Sequence, residues 1–262
     1  AMKEKIVIGR SSVTASQMKD FWRQMADGSL DGDHMDALLE HRNPFVQENS
    51  LGSRTEKGKK IRYPDPLPRL RDFWIKFWKT VGARDLTDAD LVLPTYQSGF
   101  NWLAIAPRDL TAQQLYELTE STKFFPCWKN WNDLNFLEVK EDYLKSTAEA
   151  SAVLIRPVAE ANLDTCLSYN QAVEQRLIFL GLRHRIILEP FGFWLNREHS
   201  NEAKKFRIPV HLDSVSWTRT SFLAPAGLVA NAHWLAAYGE FRVSWSSRAH
   251  ADPNGGIRPA VS

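Results

Sequence analysis

Gly239-Glu240-Phe241-Arg242-Val243-Ser244-Trp245, which is followed by Arg248 and by Gly256-Ile257-Arg258-Pro259-Ala260-Val261-Ser262, alternates apolar and polar residues with a period of two from Phe241 to Trp245. Successive side chains of a strand point to opposite sides. Phe241, Val243 and Trp245 are therefore expected to face a core, and Arg242, Ser244 and Ser246 to face outward. Val215-Ser216-Trp217 has the same pattern, and around Trp234 it leaves Asn231, His233, Leu235, Ala236 and Tyr238 as candidates for an exposed surface. Composition sets this tail apart. Of the first 217 residues, 26 are Lys, Gln or Met. That density predicts about five in the 45 residues from Thr218 onward, and none occurs there. Randomising the two adenines of an AAY asparagine codon yields Ala, Ser, Asn, His, Tyr, Leu, Arg, Gly, Asp and Thr, but never Lys, Gln, Met, Glu or Trp. Glu240, Trp234 and Trp245 sit where scaffold is expected.

These motifs resemble the C-terminal variable region of target proteins of diversity-generating retroelements, and the stretch from Val13-Thr14 to Phe45 resembles the start of uncharacterised bacterial proteins that share such a tail. The resemblance covers about 45 residues at one end and about 35 at the other. It implies an α+β chain with a C-type lectin-like fold that displays a diversified ligand-binding surface. The activity implied is protein or glycan recognition, without catalysis and without a cofactor. Within the resemblance Trp217, Trp234, Gly239, Phe241, Val243, Trp245, Gly256, Ile257 and Arg258 look like scaffold. Arg258 is expected to pair with a carboxylate or carbonyl, because an unpaired buried guanidinium is costly. The variable surface is expected to comprise Thr220, Ser221, Ala230, Asn231, His233, Leu235, Ala236, Tyr238, Ser244, Ser246, Ser247, Ala249, His250 and Ala251. Several of these are Ala or Leu, which supply few binding hot spots.

Composition narrows the alternatives. Apolar residues make up 44% of the chain, with ten Trp and fourteen Phe, enough for a substantial core. A net charge of +2 gives no field that argues for nucleic acid or a membrane surface. No apolar run approaches the roughly 20 residues of a membrane helix. Lys3 and Lys5 precede only Ile6-Val7-Ile8, so no signal peptide is seen and a cytoplasmic or phage-borne protein is expected. Cys127 and Cys166, far apart and without Cys-x-x-Cys spacing, read as reduced, buried small hydrophobes.

Three regions are expected: a helical N-terminal element over 1–46, a basic and Pro-rich linker over 47–70, and the lectin-like domain over 71–262, its variable region spanning about 218–262. Helices are predicted over 14–27 and 33–41, the first capped by Thr14 with Gln17 three residues on. An aromatic helix follows over Leu70–Val81, its Phe73, Trp74, Phe77 and Trp78 at core spacing. Phe100–Ala106 and Ala152–Ile155 read as strands, Thr111 to about Lys123 and Leu163–Leu180 as helices. Ile186–Leu188 and Phe191–Leu195 are ambiguous between the two.

Enzyme signatures are poor. The sequence has no G-x-S-x-G, Gly-rich phosphate loop, His-Glu-x-x-His or EF-hand loop. The seven histidines are scattered; His184, between Arg183 and Arg185, reads as a surface or helix-end residue. An enzyme of the formylglycine-generating type on the same scaffold would need site cysteines, and the tail has none after Cys166. A constant phage or surface assembly module is the remaining alternative.

Overall fold

The computed structural model describes residues 66–161 and 166–262 and, from the first sixty, the short strands β1 (Val7–Ile8) and β2 (Ser11–Ser12). The chain divides into two compact units, Ala1–Lys60 and Ile61–Ser262. In the first, β1 and β2 pair antiparallel with Val7 opposite Ser12. The helices expected over 14–27 and 33–41, and the linker as far as residue 65, lie outside the described residues.

The second unit mixes helices and sheets in an α+β arrangement. Its order is α1 (Leu67–Thr80), β3 (Trp102–Ile105), α2 (Ala112–Ser121), β4 (Cys127–Lys129), α3 (Asp142–Glu149), β5 (Ala152–Ile155), α4 (Tyr169–Glu174), α5 (Leu182–Glu198), α6 (Ser200–Phe206), β6 (Trp217–Leu223), β7 (Leu228–Leu235), β8 (Glu240–Ser247), β9 (Gly255–Ile257) and β10 (Ala260–Val261). A small antiparallel sheet runs β10-β5-β3, with Ala260 opposite Ile155. A larger one runs β4-β8-β7-β6-β9, antiparallel in its middle and closed at both edges by the parallel strands β4 and β9. Among the described residues no helix is long and apolar enough to cross a membrane.

Helix α1 begins at Leu67, ahead of the expected Leu70, because Pro68 falls in the first turn, where its missing N–H costs nothing. Leu67, Leu70, Phe73, Trp74, Phe77 and Trp78 form its buried stripe. Two of these indoles also fix the small sheet, Trp74 donating to the Leu103 carbonyl at 2.7 Å and Trp78 to that of Ile105 at 3.0 Å. Helix α2 starts with a capping box between Thr111 and Gln114. Of the helix expected over Leu163–Leu180, residues 163–165 lie outside the described residues and, from 166 on, only Tyr169–Glu174 is helical: Ser168 and Gln171 form the capping box that starts this helix, and Arg176 just past its end is left-handed at φ 52°.

The ambiguous Ile186–Leu195 stretch is part of one helix, α5, with Pro190 inside it. Its 3.6-residue period is hidden because it is buried on nearly all sides, including Arg183, His184, Arg185 and Glu189. His184 is thus a core residue and not a surface one. The two cysteines are not core hydrophobes either: Cys127 is half-buried and Cys166 exposed.

Candidate functional site

The five-stranded sheet has two unlike sides. Ala230, Ala232, Trp234, Phe241 and Val243 belong to the main core, which includes Ile186, Ile187 and Phe191 of α5. On the other side the register pairs Asn231 with Ser244 and His233 with Arg242, and Arg242 in turn with Trp128 of β4. Trp217 and Arg219, flanking the buried Thr218, fall on this second side. Strand β4 accompanies β8 only as far as Val243. Beyond it β8 is an edge, and residues of both phases reach one hollow of about 420 Å³. Trp217, Asn231, His233, Ser244, Trp245, Ser246, Ser247 and His250 line it.

Among the described residues no carboxylate, ammonium or guanidinium lines the hollow. Trp217 lies over Gly255, where an added Cβ would come within 2.5 Å of the indole. The guanidinium of Arg219 sits 4.2 Å from the same ring. Arg219 is fully buried and donates to the carbonyls of Leu167 at 2.9 Å and His250 at 2.7 Å. Burial pushes its pKa down to about 10, with Asp252 and Cys166 pulling the other way. Burial also holds His233 neutral, its pKa lowered to about 4, with Arg185 and Arg242 adding to the shift. Ser244 Oγ bonds the Asn231 side-chain oxygen. His233 Nδ1 and Ser246 Oγ are buried without a hydrogen-bond partner in the protein, so water or a ligand must supply one.

Behind the sheet lies a charged core. Asp213, itself left-handed at φ 57°, accepts from Arg185 at 3.0 Å, Arg258 at 2.6 Å and Thr218 at 2.6 Å. Burial alone would raise its pKa, but Arg258 and Arg185 outweigh that and hold the carboxyl below its usual range. Arg185 also meets Glu189 at 2.8 Å, and Glu189 meets His211 at 2.9 Å. His211 stacks on Trp234 with ring centroids 3.5 Å apart. Arg258 also donates to the carbonyls of Val158 and Ala159, the carboxylate-and-carbonyl pairing expected of it.

Six residues expected on the variable surface line the hollow: Asn231, His233, Ser244, Ser246, Ser247 and His250. Ala236, Tyr238, Ala249 and Ala251 are exposed outside it, Tyr238 at 73% on the turn that Gly239 closes with φ 61°, and Leu235 is half-buried. Five positions expected to face solvent are corrected: Thr220, Ser221, Ala230, Asn231 and Ser246 are buried. Thr220 and Ser221 are fully buried, because β6 bulges: four steps from Arg219 to Leu223 match two from Asn231 to Val229. The Thr220 hydroxyl is spent on the Ala230 carbonyl and the Ser221 N–H on that of Leu180. Ala230 is buried in the main core with the phase of Ala232. Asn231 and Ser246 are buried at 3% and 8% exposure although they border the hollow.

The scaffold set is also corrected at one place. Trp245 is 47% exposed at the open edge of β8, while Phe241, Val243, Gly256 and Arg258 are buried and Trp217 and Trp234 half-buried. Trp128, 39% exposed with the Arg242 guanidinium 4.6 Å from its ring, belongs to the same side of the sheet. Its role was invisible in sequence because β4 reaches β8 from over a hundred residues away. Arg219 and Asp213 were missed for a related reason: their partners are distant carbonyls and guanidinia. Among the described residues no three His, Cys, Asp or Glu side chains cluster as metal ligands would.

No protein-family model, curated protein or solved structure matches the chain.

Proposed function

We propose that this is the variable protein of a diversity-generating retroelement, with a C-type lectin-like fold over its second unit, and that the side of the large sheet carrying the hollow is its ligand-recognition face. The observation that carries the reading is the meeting of six residues of the compositionally biased tail around one hollow of about 420 Å³. Sequence spacing alone does not require that meeting. The support beneath fits a surface that must vary without unfolding: buried Phe241 and Val243, a bonded Arg258–Asp213 pair, and backbone pairing from Leu228 to Leu235 against Ser247 to Glu240. The function is recognition of a protein or glycan without catalysis.

The flanking DNA tests the class directly. A near-identical template repeat, differing from the tail-coding segment at adenines and lying beside a reverse transcriptase gene, is expected. A tail-coding segment with no such repeat anywhere in the genome would overturn it. At the protein level, a library varied at His233, Ser244, Ser247 and His250 is expected to stay folded. One varied at Thr220, Ser221 and Ala230 is expected to lose its cooperative melt.

A further inference from the structure

The hollow has a chemistry of its own. Its eight lining side chains are two indoles, two imidazoles, one amide and three hydroxyls, without a carboxylate, an ammonium or a guanidinium. A divalent cation bridging a ligand would need carboxylate or carbonyl oxygens converging there, and no carboxylate lines it. A protein epitope of ordinary size needs a patch of about 800 Å², whereas this site is concave and lies within the range of about 300–1,000 Å³ typical of small-molecule sites. The indole of Trp245 stands nearly half in solvent at the rim, and that of Trp217 is held in place by Gly255 and Arg219. Ser246, only 8% exposed, and His233 both border the hollow, and each has a buried polar atom, Oγ and Nδ1, with no partner in the protein. Flat apolar walls with neutral donors and acceptors between them match a ring that is apolar on its C–H faces and hydroxylated around its rim.

We infer that the hollow is a subsite for one neutral hexopyranose residue of a glycan, with Trp245 and Trp217 against its C–H faces and Asn231, His233, Ser244 and Ser246 hydrogen-bonding its hydroxyls. The inference rests on reading this face as ligand-binding, and it commits to glycan over protein. Because His233 is held neutral, it both donates and accepts, as an alternating set of hydroxyls requires. Arg219 is fully buried, its two Nη groups donating to carbonyls and its Nε without a partner in the protein, so it is out of reach of an acidic sugar in the hollow.

The experiment is saturation-transfer NMR and tryptophan-fluorescence titration of the full chain. The probes are methyl α- and β-pyranosides of glucose, galactose, mannose and N-acetylglucosamine, with methyl β-glucuronide as the acidic counterpart. At least one neutral pyranoside is expected to bind saturably at about millimolar Kd, as one small ligand ring allows. Trp245→Ala is expected to weaken it about tenfold or more with the melting temperature kept. Ser246→Ala, which removes one oxygen from a site with no protein partner, is expected to weaken it about threefold and serves should Trp245→Ala fail to fold. Three results overturn the inference: no saturable binding of any neutral pyranoside, preference for the glucuronide, or affinity unmoved by both substitutions. None of them touches the retroelement class, which falls only if the template repeat is missing. Binding of a protein ligand that survives Trp245→Ala, with no sugar bound, would keep the recognition face and remove the pyranose.

Discussion

Asp213 is a single carboxylate between two buried guanidinia, with Arg185 and Arg258 both fully or almost fully out of solvent. Asp213→Ala leaves both guanidinia short of an acceptor in the core. It is therefore expected to cost about 3–5 kcal/mol in urea unfolding, as for other broken buried pairs. Arg258→Met leaves Asp213 its bond to Arg185 and should cost less; the reverse order would mean that the pairing is not what holds these residues. Trp234 and Trp245 test another distinction, since both were read as scaffold from an alternation they share. Trp234 is half-buried, stacked on His211 and edge-on to Phe125 at 5.2 Å. Trp245 stands at an open strand edge. Trp234→Ala is expected to destabilise by about 2–4 kcal/mol and Trp245→Ala by under about 1 kcal/mol. Equal losses in thermal melts would return Trp245 to the core.

The helix and strand periods that could be read in the sequence are those with one buried side. The stripe of α1 and the helix α2 beginning after Thr111 stand where their patterns put them, because local chemistry fixes each. What could not be read are features that depend on distant partners. α5 shows no clear period because neighbours cover nearly all of it, and the bulge in β6 shifts Thr220 and Ser221 out of the phase that alternation assigns. The hollow is of this second kind. Its residues lie in the right part of the chain, but the edge that exposes Trp245 exists only because β4, from far upstream, stops opposite Val243. β9 contributes through Gly255, which has no side chain to read. A methyl there would lie 2.5–2.8 Å from three atoms of the Trp217 indole, so the ring must move. Gly255→Ala is expected to cost about 1–3 kcal/mol and to shift the Trp217 emission. An unchanged spectrum and melt would show that the indole has room, and with it that this wall of the hollow is not fixed.

Across the whole second unit, buried ionisable groups set how stability depends on pH. Burial, with Arg183 beside it, pushes the pKa of His184 down to about 3, outweighing the nearby backbone of Ser151 and Ala150; His233 is held at about 4. Unfolded, both titrate near the ordinary value of about 6.5. Between those limits the unfolded chain binds protons that the folded chain refuses, so stability rises with pH from about 4 to 6.5 and this contribution is complete above that. Asp213 acts in a lower window. Its depressed carboxyl pKa gives a contribution present above about 4 and lost as the pH falls further. Urea midpoints at pH 7.5, 6.5, 5.5 and 4.5 separate the two. The wild type is expected to lose stability from pH 6.5 downward. His184→Phe removes one of the two histidine contributions and should flatten that slope by about 1.4 kcal/mol per pH unit well below 6.5. The histidine account requires a difference between the two profiles below pH 6.5 and none above it. Parallel profiles throughout would mean that His184 binds its proton as readily in the fold as in the unfolded chain, leaving His233 and the carboxylates to account for the acid sensitivity.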